Sequence, residues 1–493
     1  MYKIHYGFIL IFIAILVRCV AYGKIPDIVV YKAPKGENIS NLFKVSIRGR
    51  PIVVYRAKVA AGDPSRRFKA VDDLMHSADY FDESAFCYFS SNTPETVIID
   101  VPEIITSAQV LPSSYKIPYV KTLHNLRFKI KPGQSLTIEI NGDIFHSLHV
   151  FCDSVAKDIK LPIRDTNVIY FGPGVHTVTS MVIGSNKTVY IAGGAVVKAI
   201  VGSDEKYSTE PSGLRNYPPT FILNGDNIKF EGSGIIDASG CPPHARSLLI
   251  CYRSHHVLIK DIIFKDPAGW TIPIVQSENV SVKNVKILGY RANSDGIDIC
   301  NSRHVIISNC FIRTNDDLVV VKTFEKQGPA YQILVDNCVL WNQLANALSI
   351  GAELREKVSN VRFSNCDIIH DTGREWSLHI FQCDSTEISN ISFENLRIEQ
   401  SHQLMSVWIG KAQPSATRAL GTIKQVTFKN IAAIGNPLSI ALTGGDQNHL
   451  VSNITFKNIK LNNKPLSETG IHHNQYVSRI GINGKLIDQT ANH

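Results

Sequence analysis

The sequence predicts an all-β fold, a right-handed parallel β-helix (solenoid) preceded by an N-terminal β-sandwich domain. Three observations support this prediction. Short apolar blocks that end in Asn or Asp recur through the second half of the 493-residue chain. Residues 24–160 lack this repeat but contain short alternating segments separated by turn signals. The 3.6-residue periodicity of amphipathic helices is nearly absent from the whole chain.

The repeated block predicts the β-helix. A strand-rich unit that recurs every 23 residues (Asp261 to Asn284) to 35 residues (Asn395 to Asn430) buries its apolar face only by stacking on its neighbours. Crossovers between parallel strands are right-handed by strong preference. The final Asn suits the sharp corners of such a coil, because Asn tolerates the left-handed backbone conformation. The blocks read HHVLIKD, NVSVKN, HVIISN, YQILVDN, NVRFSN, NISFEN, KQVTFKN and SNITFKN.

Three cysteines each directly follow a repeat Asn. Stacking of the coils then predicts a column of buried free thiols, rather than disulfides, formed by Cys310, Cys338 and Cys366. No pair of Cys or His residues has the spacing of zinc ligands, so the sequence predicts neither a metal nor another cofactor.

The N-terminal region reads as a β-sandwich, because short alternating strands are separated by Gly-containing turns. The turn signals are Arg48-Gly49-Arg50, Pro132-Gly133 and Asn141-Gly142. The predicted division of the chain is a signal peptide (1–23), the sandwich domain (24–160), the β-helix catalytic domain (161–465) and a C-terminal cap (466–493).

Composition and the N-terminus bear on location and partners. The chain is 44% apolar and 19% charged, as in ordinary folded proteins. Its net charge of +8 is spread without a basic cluster, so no nucleic-acid partner is expected. The apolar run Gly7–Val17 is short for a membrane span and is followed by Ala21-Tyr22-Gly23, a pattern typical of a secretory signal. We expect a secreted or periplasmic monomer that is not an integral membrane protein, with a membrane anchor or lipid anchoring at Cys19 as alternatives.

Two carboxylate motifs, Asn293-Ser294-Asp295 and Asn315-Asp316-Asp317, lie one repeat apart. Aligning the apolar residues that follow them predicts that Asp295 stacks against Asp316, with Asn346 on the next coil. Carboxylates about one rung apart repel, so at least one is expected to hold a proton near neutral pH. A protonated acid beside an ionised carboxylate is what glycoside hydrolysis requires. The alternative is that these Asp residues only cap solenoid turns.

These motifs resemble the polygalacturonase signature of glycoside hydrolase family 28, in which Asn-Thr-Asp and Gly-Asp-Asp have the same separation. The resemblance extends over about residues 165–400. It implies a right-handed β-helix that hydrolyses a polysaccharide with inversion. Asp316 would be the general acid, and Asp295 and Asp317 would hold the attacking water. For inversion we expect an acid–base separation of about 6.5–9.5 Å.

Two departures from the family pattern concern the substrate. The family has Gly-His-Gly where this chain has Ala345-Asn346-Ala347, and the family's Arg-Ile-Lys triplet falls on Ser377-Leu378-His379. The family's Arg and Lys bind a uronate carboxylate, which Ser and a neutral His do not replace. Arg374 in the preceding turn is a possible substitute. The predicted substrate-binding residues are Asn293, Asn346, His379, Trp376, Arg374 and Glu353.

Other functions stay open. The sandwich domain, the three Asp residues without the histidine, and Ile368-Ile369-His370 also resemble glycoside hydrolase family 49, which implies a dextranase-like hydrolase of neutral α-glucans. A β-helix polysaccharide lyase would use Ca²⁺ and a basic residue. A non-catalytic glycan-binding solenoid is a further alternative. The remaining aromatic candidates, which equally suit the core, are Trp270, Tyr290, Trp341 and Trp408.

Overall fold

The computed structural model describes residues 27–63, 80–155, 165–210, 213–412, 414–417 and 419–487. The predicted signal peptide, with Cys19, lies outside these residues. Regular structure in the described part is almost entirely strand, with two 3-10 turns at Ser113–Tyr115 and Glu468–Gly470. Among these residues there is no helix of the length and apolarity that a bilayer crossing needs.

The N-terminal part is a sandwich of two sheets that share one apolar core. Its strands are β1 (Ile28–Val30), β2 (Lys44–Ile47), β3 (Arg50–Ile52), β4 (Tyr55–Ala60), β5 (Phe81–Ser91), β6 (Glu95–Asp100), β7 (Ala108–Leu111), β8 (Tyr119–Lys121), β9 (Asn125–Ile130), β10 (Gln134–Ile140) and β11 (Asp143–Asp153). One sheet has the order β1-β5-β11-β10-β7, with β4 paired to β5, and the other has the order β3-β2-β6-β9-β8.

Two hairpins of the sandwich use the predicted turns. Arg48-Gly49 joins β2 to β3, and Asn141-Gly142 joins β10 to β11; all four residues have positive φ. Two left-handed central residues form the turn whose twist matches that of paired strands. The predicted β-sandwich is therefore confirmed.

The rest of the described chain coils into a right-handed parallel β-helix with three sheets, and this prediction is confirmed too. Sheet I contains β12 (Val168–Phe171), β15 (Thr188–Ile191), β20 (Asp226–Gly232), β23 (His255–Lys260), β26 (Glu278–Lys283), β29 (Arg303–Ser308), β32 (Ala330–Asp336), β35 (Val358–Ser364), β40 (Val451–Leu461) and β43 (Val477–Ile482). Sheet II contains β13 (Gly174–Val178), β16 (Ala195–Ala199), β21 (Ile235–Asp237), β24 (Ile263–Lys265), β27 (Lys286–Leu288), β30 (Phe311–Thr314), β33 (Val339–Asn342) and β36 (Asp367–Asp371).

Sheet III contains β14 (Met181–Ile183), β19 (Phe221–Leu223), β22 (Leu249–Tyr252), β25 (Ile272–Val275), β28 (Ile297–Cys300), β31 (Val319–Thr323), β34 (Leu348–Leu354), β37 (Leu378–Gln382) and β42 (His472–His473). The long strands β38 (Glu387–Ile409) and β39 (Thr422–Thr443) bend through all three sheets. The short antiparallel strands are β17 (Ser208–Thr209), β18 (Arg215–Asn216), β41 (Lys464–Pro465) and β44 (Lys485–Ile487).

The repeat Asn residues form the predicted corner column. All seven have positive φ, which is the left-handed backbone conformation that a sharp corner requires. The side-chain amide of Asn395 donates to Asn365 at 3.1 Å and accepts from Asn430 at 2.8 Å. The three cysteines that follow the repeat are buried free thiols, as predicted, and are Cys310, Cys338 and Cys366.

The sandwich packs on the outer face of sheet II. Phe86 and Phe151 of the sandwich join Phe311 and Trp341 of the β-helix in one buried cluster. The fully buried Arg313 guanidinium lies 3.5 Å from the centre of the Trp341 ring and donates to Ser147 Oγ across the interface at 3.0 Å. The sandwich also reaches the turn of the first acidic motif, because the Phe81 ring lies 5.3 Å from the ring of Tyr290, three residues before Asn293.

Candidate active site

The two acidic motifs occupy equivalent turns between sheets II and III. Asp295 precedes β28, and Asp316 and Asp317 precede β31. One oxygen from each of the three carboxyls can be chosen so that all three lie within 4.8 Å of one another. Stacking of successive coils therefore brings the three predicted catalytic residues together.

The register within this cluster differs from the sequence prediction by one residue. Ladder hydrogen bonds and strand pairing put Asp295, Asp317 and Asn346 on one row of successive coils. The prediction that Asp295 stacks against Asp316 is wrong. Asp316 lies one residue before this row, and it is more exposed than Asp295 and Asp317.

Strand alternation explains the observed register. Ile297 pairs with Val319, which pairs with Leu348, and all three side chains face the core with no exposed surface. A slip of one residue exchanges the two faces of a strand. The predicted register would have turned Lys322 towards the apolar core, where an unpaired ammonium is very costly.

Each carboxyl of the second motif is held by backbone donors. Asp316 Oδ1 accepts from the N–H of Asp317 at 3.0 Å, and its Oδ2 accepts from the N–H of Asn293 at 3.2 Å. Asp317 Oδ1 accepts from both the backbone and the side-chain amide of Asn346, at 3.1 and 2.8 Å. Asn293 and Asn346 therefore orient the predicted acid and one predicted base.

A buried cation lies beside the cluster, and the sequence analysis did not assign it a role. The ammonium of Lys322 is 3.2 Å from Asp295 Oδ2 and 2.9 Å from Asp298 Oδ1. It is also 3.9 Å from the centre of the Trp270 ring. Asp298 was missed as a site residue as well. The sequence could have predicted both residues, because the alternation of inward and outward side chains along β28 and β31 puts Asp298 and Lys322 on the outward face.

Burial raises the pKa of every carboxyl in the cluster. Burial raises the pKa of Asp316 to about 7, and the negative charge of Asp295 adds to this rise. Burial also raises the pKa of Asp317 to about 7, and there the charge of Asp316 is the second cause. Burial raises the pKa of Asp298 to about 6 against the pull of Lys322. The pKa of Asp295 rises well above its ordinary value through burial and Asp298. The group therefore shares protons near neutral pH, as the sequence predicted.

His379 is a neutral acceptor in the structure. Asn346 donates its amide N–H to Asp317, so its Oδ1 accepts from the backbone N–H of Trp376 at 3.1 Å and from His379 Nδ1 at 3.0 Å. His379 Nδ1 therefore carries the proton, and Nε2 keeps its lone pair. Burial lowers the pKa of His379 to about 3, so no positive charge forms there near neutral pH.

The other predicted binding residues lie in different positions. Glu353 and Arg374 line the cavity beside the acids, and Arg374 Nε is 3.4 Å from Glu375 Oε1. Trp376 lies on the rung after Asn346 with its ring 6.2 Å from that of His379, but it does not line the cavity. Ser377, at the family's Arg position, is fully buried and donates to Asp371 Oδ2, so it does not face the cleft.

The cavity has a volume of about 270 Å³. Of the aromatic candidates, Trp270 lines it, whereas Tyr290 and Trp341 are buried and Trp408 packs on Phe381. The lining residues are Trp270, Asn293, Asp295, Asp316, Asp317, Lys322, Ala345, Asn346, Ser349, Ile350, Gly351, Ala352, Glu353, Arg374, Glu375, His379 and Phe381.

The acidic cluster also bears on the lyase alternative. The oxygens of Asp295, Asp316 and Asp317 are near enough to share a Ca²⁺ with bonds of about 2.3–2.6 Å. However, the Lys322 ammonium already balances part of this charge. Burial opposes the charge on Lys322, but Asp298 and Asp295 outweigh it and hold its pKa well above the ordinary value. A lysine held protonated in this way does not serve as the base of a lyase.

The family model of Glycosyl hydrolases family 28 matches residues 220–477, which include every carboxyl of this cluster. The chain belongs to this family. Its relatives include the putative galacturan 1,4-alpha-galacturonidase C of Aspergillus niger, 24% identical over 32% of this chain and 42% of that protein. The polygalacturonase of Juniperus ashei is 27% identical over 43% of this chain and 41% of that protein. The chain thus spans less than half the length of these curated relatives.

Solved structures support the fold. The exopolygalacturonase of Thermotoga maritima matches with a TM-score of 0.51 and 21% identity, over 65% of this chain and 85% of that one. Dex49A from Penicillium minioluteum matches with a TM-score of 0.56 and 12% identity, over 93% of this chain and 96% of that one. Because the second match covers 93% of this chain, the likeness in fold extends beyond the β-helix into the N-terminal part.

Proposed function

We propose that the protein is a secreted glycoside hydrolase that cleaves O-glycosidic bonds of a polysaccharide. The carrying observation is the set of carboxyl oxygens of Asp295, Asp316 and Asp317 within 4.8 Å of one another at a cavity on the outer edge of sheet III. Membership of family 28 supports the same reaction class. The proposal of secretion rests on the N-terminal sequence alone.

Asp316 acts as the general acid. It is the most exposed of the three carboxyls, and its pKa of about 7 leaves a large protonated fraction near neutral pH. Asp316 gives its proton to the glycosidic oxygen as the bond from that oxygen to the anomeric carbon breaks. A water attacks the anomeric carbon, and the proton it loses passes to Asp295 or Asp317.

Asp295 and Asp317 together hold the water. Each keeps an acceptor for it. Asp295 Oδ1 is buried without a hydrogen-bond partner among the described residues, and both bonds from Asn346 go to Asp317 Oδ1, which leaves Asp317 Oδ2. One water can donate to both carboxyls, because two hydrogen bonds of about 2.7–2.8 Å span oxygens up to about 5.5 Å apart. The nearest oxygens lie within 4.8 Å.

We propose inversion of the anomeric centre on the basis of this shared water. The expected acid–base separation of about 6.5–9.5 Å is wrong for the nearest oxygens, which approach within 4.8 Å. Separation alone therefore does not argue for inversion. Two carboxylates on one row, both placed to accept from one water, argue for a direct attack of water rather than a covalent intermediate.

The substrate that we propose is a neutral glycan or a substituted pectic backbone rather than unmodified polygalacturonate. His379 presents a lone pair and carries no charge near neutral pH, and the cavity also contains the acceptors Glu353 and Glu375. Ser377 is turned away from the cavity. Acceptors suit sugar hydroxyls and repel a uronate carboxylate. The Dex49A likeness supports the architecture only and does not select an α-glucan.

A digest of pectic, galactan and α-glucan polysaccharides, read by mass spectrometry, tests this function. We expect products that have gained one water per bond broken, and loss of those products in Asp316→Asn. Products that carry a double bond would show a lyase instead. Binding without any product would show a glycan-binding solenoid.

A further inference from the structure

A second cavity lies on the N-terminal side of the acidic cluster and adjoins the first. Its volume is about 360 Å³, and Trp270 and Asn293 line both cavities. On the row that carries Asp295, Trp270 lies one coil earlier and Ser247 lies two coils earlier. At about 4.8 Å per coil, Ser247 is about 10 Å from Asp295. The second cavity therefore continues the path of a chain bound across the acids.

A hairpin forms the outer wall of this second cavity. It consists of β17 and β18, and it leaves the β-helix between β16 and β19. Leu214 of the hairpin packs on Ala292, which directly precedes Asn293. Since β19, β22, β25 and β28 are successive strands of sheet III, this contact joins coils three rungs apart. The hairpin thus lies along the edge of the cleft.

The base of the hairpin is anchored by a buried ion pair. The guanidinium of Arg246, which is 1% exposed, lies 2.5 Å from Glu205 Oε2 and also donates to the carbonyl of Thr179. The same Glu205 oxygen accepts from the N–H of Gly202 at 3.1 Å. These contacts fix the N-terminal end of the segment that carries the hairpin, and at its other end the N–H of Tyr217 donates to the carbonyl of Ala245 at 2.7 Å. The cavity is therefore already formed without a ligand, as sugar sites usually are.

The lining has the chemistry of a neutral sugar site. The ionisable groups are paired within the protein: Arg246 with Glu205, and His244 Nδ1 with Glu210 Oε2 at 3.1 Å. Uncharged polar side chains are supplied by Asn216, Ser247 and Asn293. Trp270 adds a flat apolar surface of the kind on which the C–H face of a pyranose packs. No lining cation is left without a carboxylate partner among the described residues.

We propose that this second cavity binds a neutral sugar residue of the substrate chain, on the N-terminal side of the bond that is cleaved, with the β17–β18 hairpin as its wall. This inference rests on the proposed function for the direction in which the glycan crosses the acids. The hairpin contact Leu214–Ala292 determines the width of the cavity. The side-chain N–H groups of Asn216 donate to Glu210 Oε1 and to the carbonyl of His244, so Asn216 offers its amide oxygen to a hydroxyl of the sugar.

Calorimetry on three trisaccharides tests the proposal, with Asp316→Asn as the parent protein so that hydrolysis is slow during the measurement. The probes are isomaltotriose, β-1,4-galactotriose and trigalacturonate. We expect one of the neutral trisaccharides to bind at least tenfold more tightly than trigalacturonate. Adding Leu214→Ala should raise its Kd at least tenfold, and adding Asn216→Ala at least threefold.

Asn224→Ala is the matched control, because Asn224 is an exposed residue of the same coil that makes one side-chain bond, to the carbonyl of Tyr252 at 3.0 Å. It should leave every Kd unchanged, and melting curves should show that all variants are folded. Equal Kd values in parent and Leu214→Ala, tighter binding of trigalacturonate, or binding of no trisaccharide would each overturn the proposal. Hydrolysis by the wild-type protein is measured separately, so binding without hydrolysis would remove the proposed function and leave this site standing.

Discussion

Replacing Lys322 by Met should shift the pH profile of activity upwards. The ammonium lies 3.2 Å from Asp295 Oδ2 and is 5% exposed, so it stabilises the ionised form of a predicted base. At this distance and an effective dielectric constant of about 20, one such pair is worth about 5 kcal/mol. The ammonium is shared with Asp298, and measured shifts from one opposite charge are about 1–3 pKa units. We expect the apparent pKa of the acidic limb of the kcat/KM profile to rise by this amount.

The two limbs should not move equally. Asp316, the predicted acid, does not contact Lys322 directly, so the alkaline limb should rise less and the profile should narrow. Lys322→Arg keeps the charge and should retain most of the wild-type profile. Lys460→Met removes an exposed lysine far along the chain in β40 and serves as the control. A Lys322→Met profile that superimposes on the wild-type one would refute the assignment of Lys322 as the group that opposes the rise in the pKa of Asp295.

The same substitution makes a second, independent measurement possible. Without the ammonium, Asp295 and Asp298 are buried carboxyls whose pKa values are raised further, so the folded protein holds their protons more tightly than the unfolded chain does. A carboxyl whose pKa is higher in the folded state than in the unfolded state lowers the free energy of unfolding at pH values above its folded-state pKa. This loss disappears as the pH falls below its unfolded-state pKa. Removing one partner of a buried ion pair costs about 3–5 kcal/mol. Urea unfolding of Lys322→Met should therefore show a large loss at pH 8 and a smaller one at pH 5.

Three further predictions follow from the site. Asp316→Asn should lower turnover about 10²–10⁴-fold with an unchanged fold, because it removes a positioned general acid; near wild-type turnover would show that another group donates the proton. Proton NMR of fresh product should show the inverted anomer, and a retained anomer would exclude direct attack by a shared water. Polygalacturonate should be cleaved more slowly than neutral or substituted glycans at both low and high ionic strength, and rapid, salt-resistant cleavage would point to Arg374 as a carboxylate site.

The fold was predictable because the repeat acts at several levels at once. Apolar alternation, corner Asn residues and the Cys column all recur in the same repeated block, so each observation supports the same stacking. The turns Arg48-Gly49 and Asn141-Gly142 similarly define two hairpins of the sandwich. The register between coils was harder to predict to a single residue. Leu318, Val319 and Val320 are all apolar, so the sequence does not show which of them faces the core.

The substrate side of the site shows the same limit. Counting along the sequence put Ser377 and His379 at the family's Arg and Lys positions, but only His379 reaches the cavity. Ser377 instead donates to Asp371 and contacts Ser401 in the interior. Counting along the sequence locates a motif on a coil. It does not show which way the side chains of the motif point, because coils differ in turn length and packing determines the direction. The tautomer of His379 was also beyond the sequence, since it depends on Asn346.

The distribution of charge in the cleft supports the proposed neutral sugar, although the net charge of +8 on its own would favour an acidic chain. Among the described residues, the cations that line the two cavities each face a carboxylate of the chain itself. Lys322 and Arg246 are buried, and freeing either one for a uronate would leave a buried carboxylate (Asp295) or a largely buried one (Glu205) unpaired. Arg374 differs, because its side chain is 64% exposed and exposed ion pairs contribute only about 0–1 kcal/mol. Any affinity for acidic pectin in this cleft should therefore depend on Arg374.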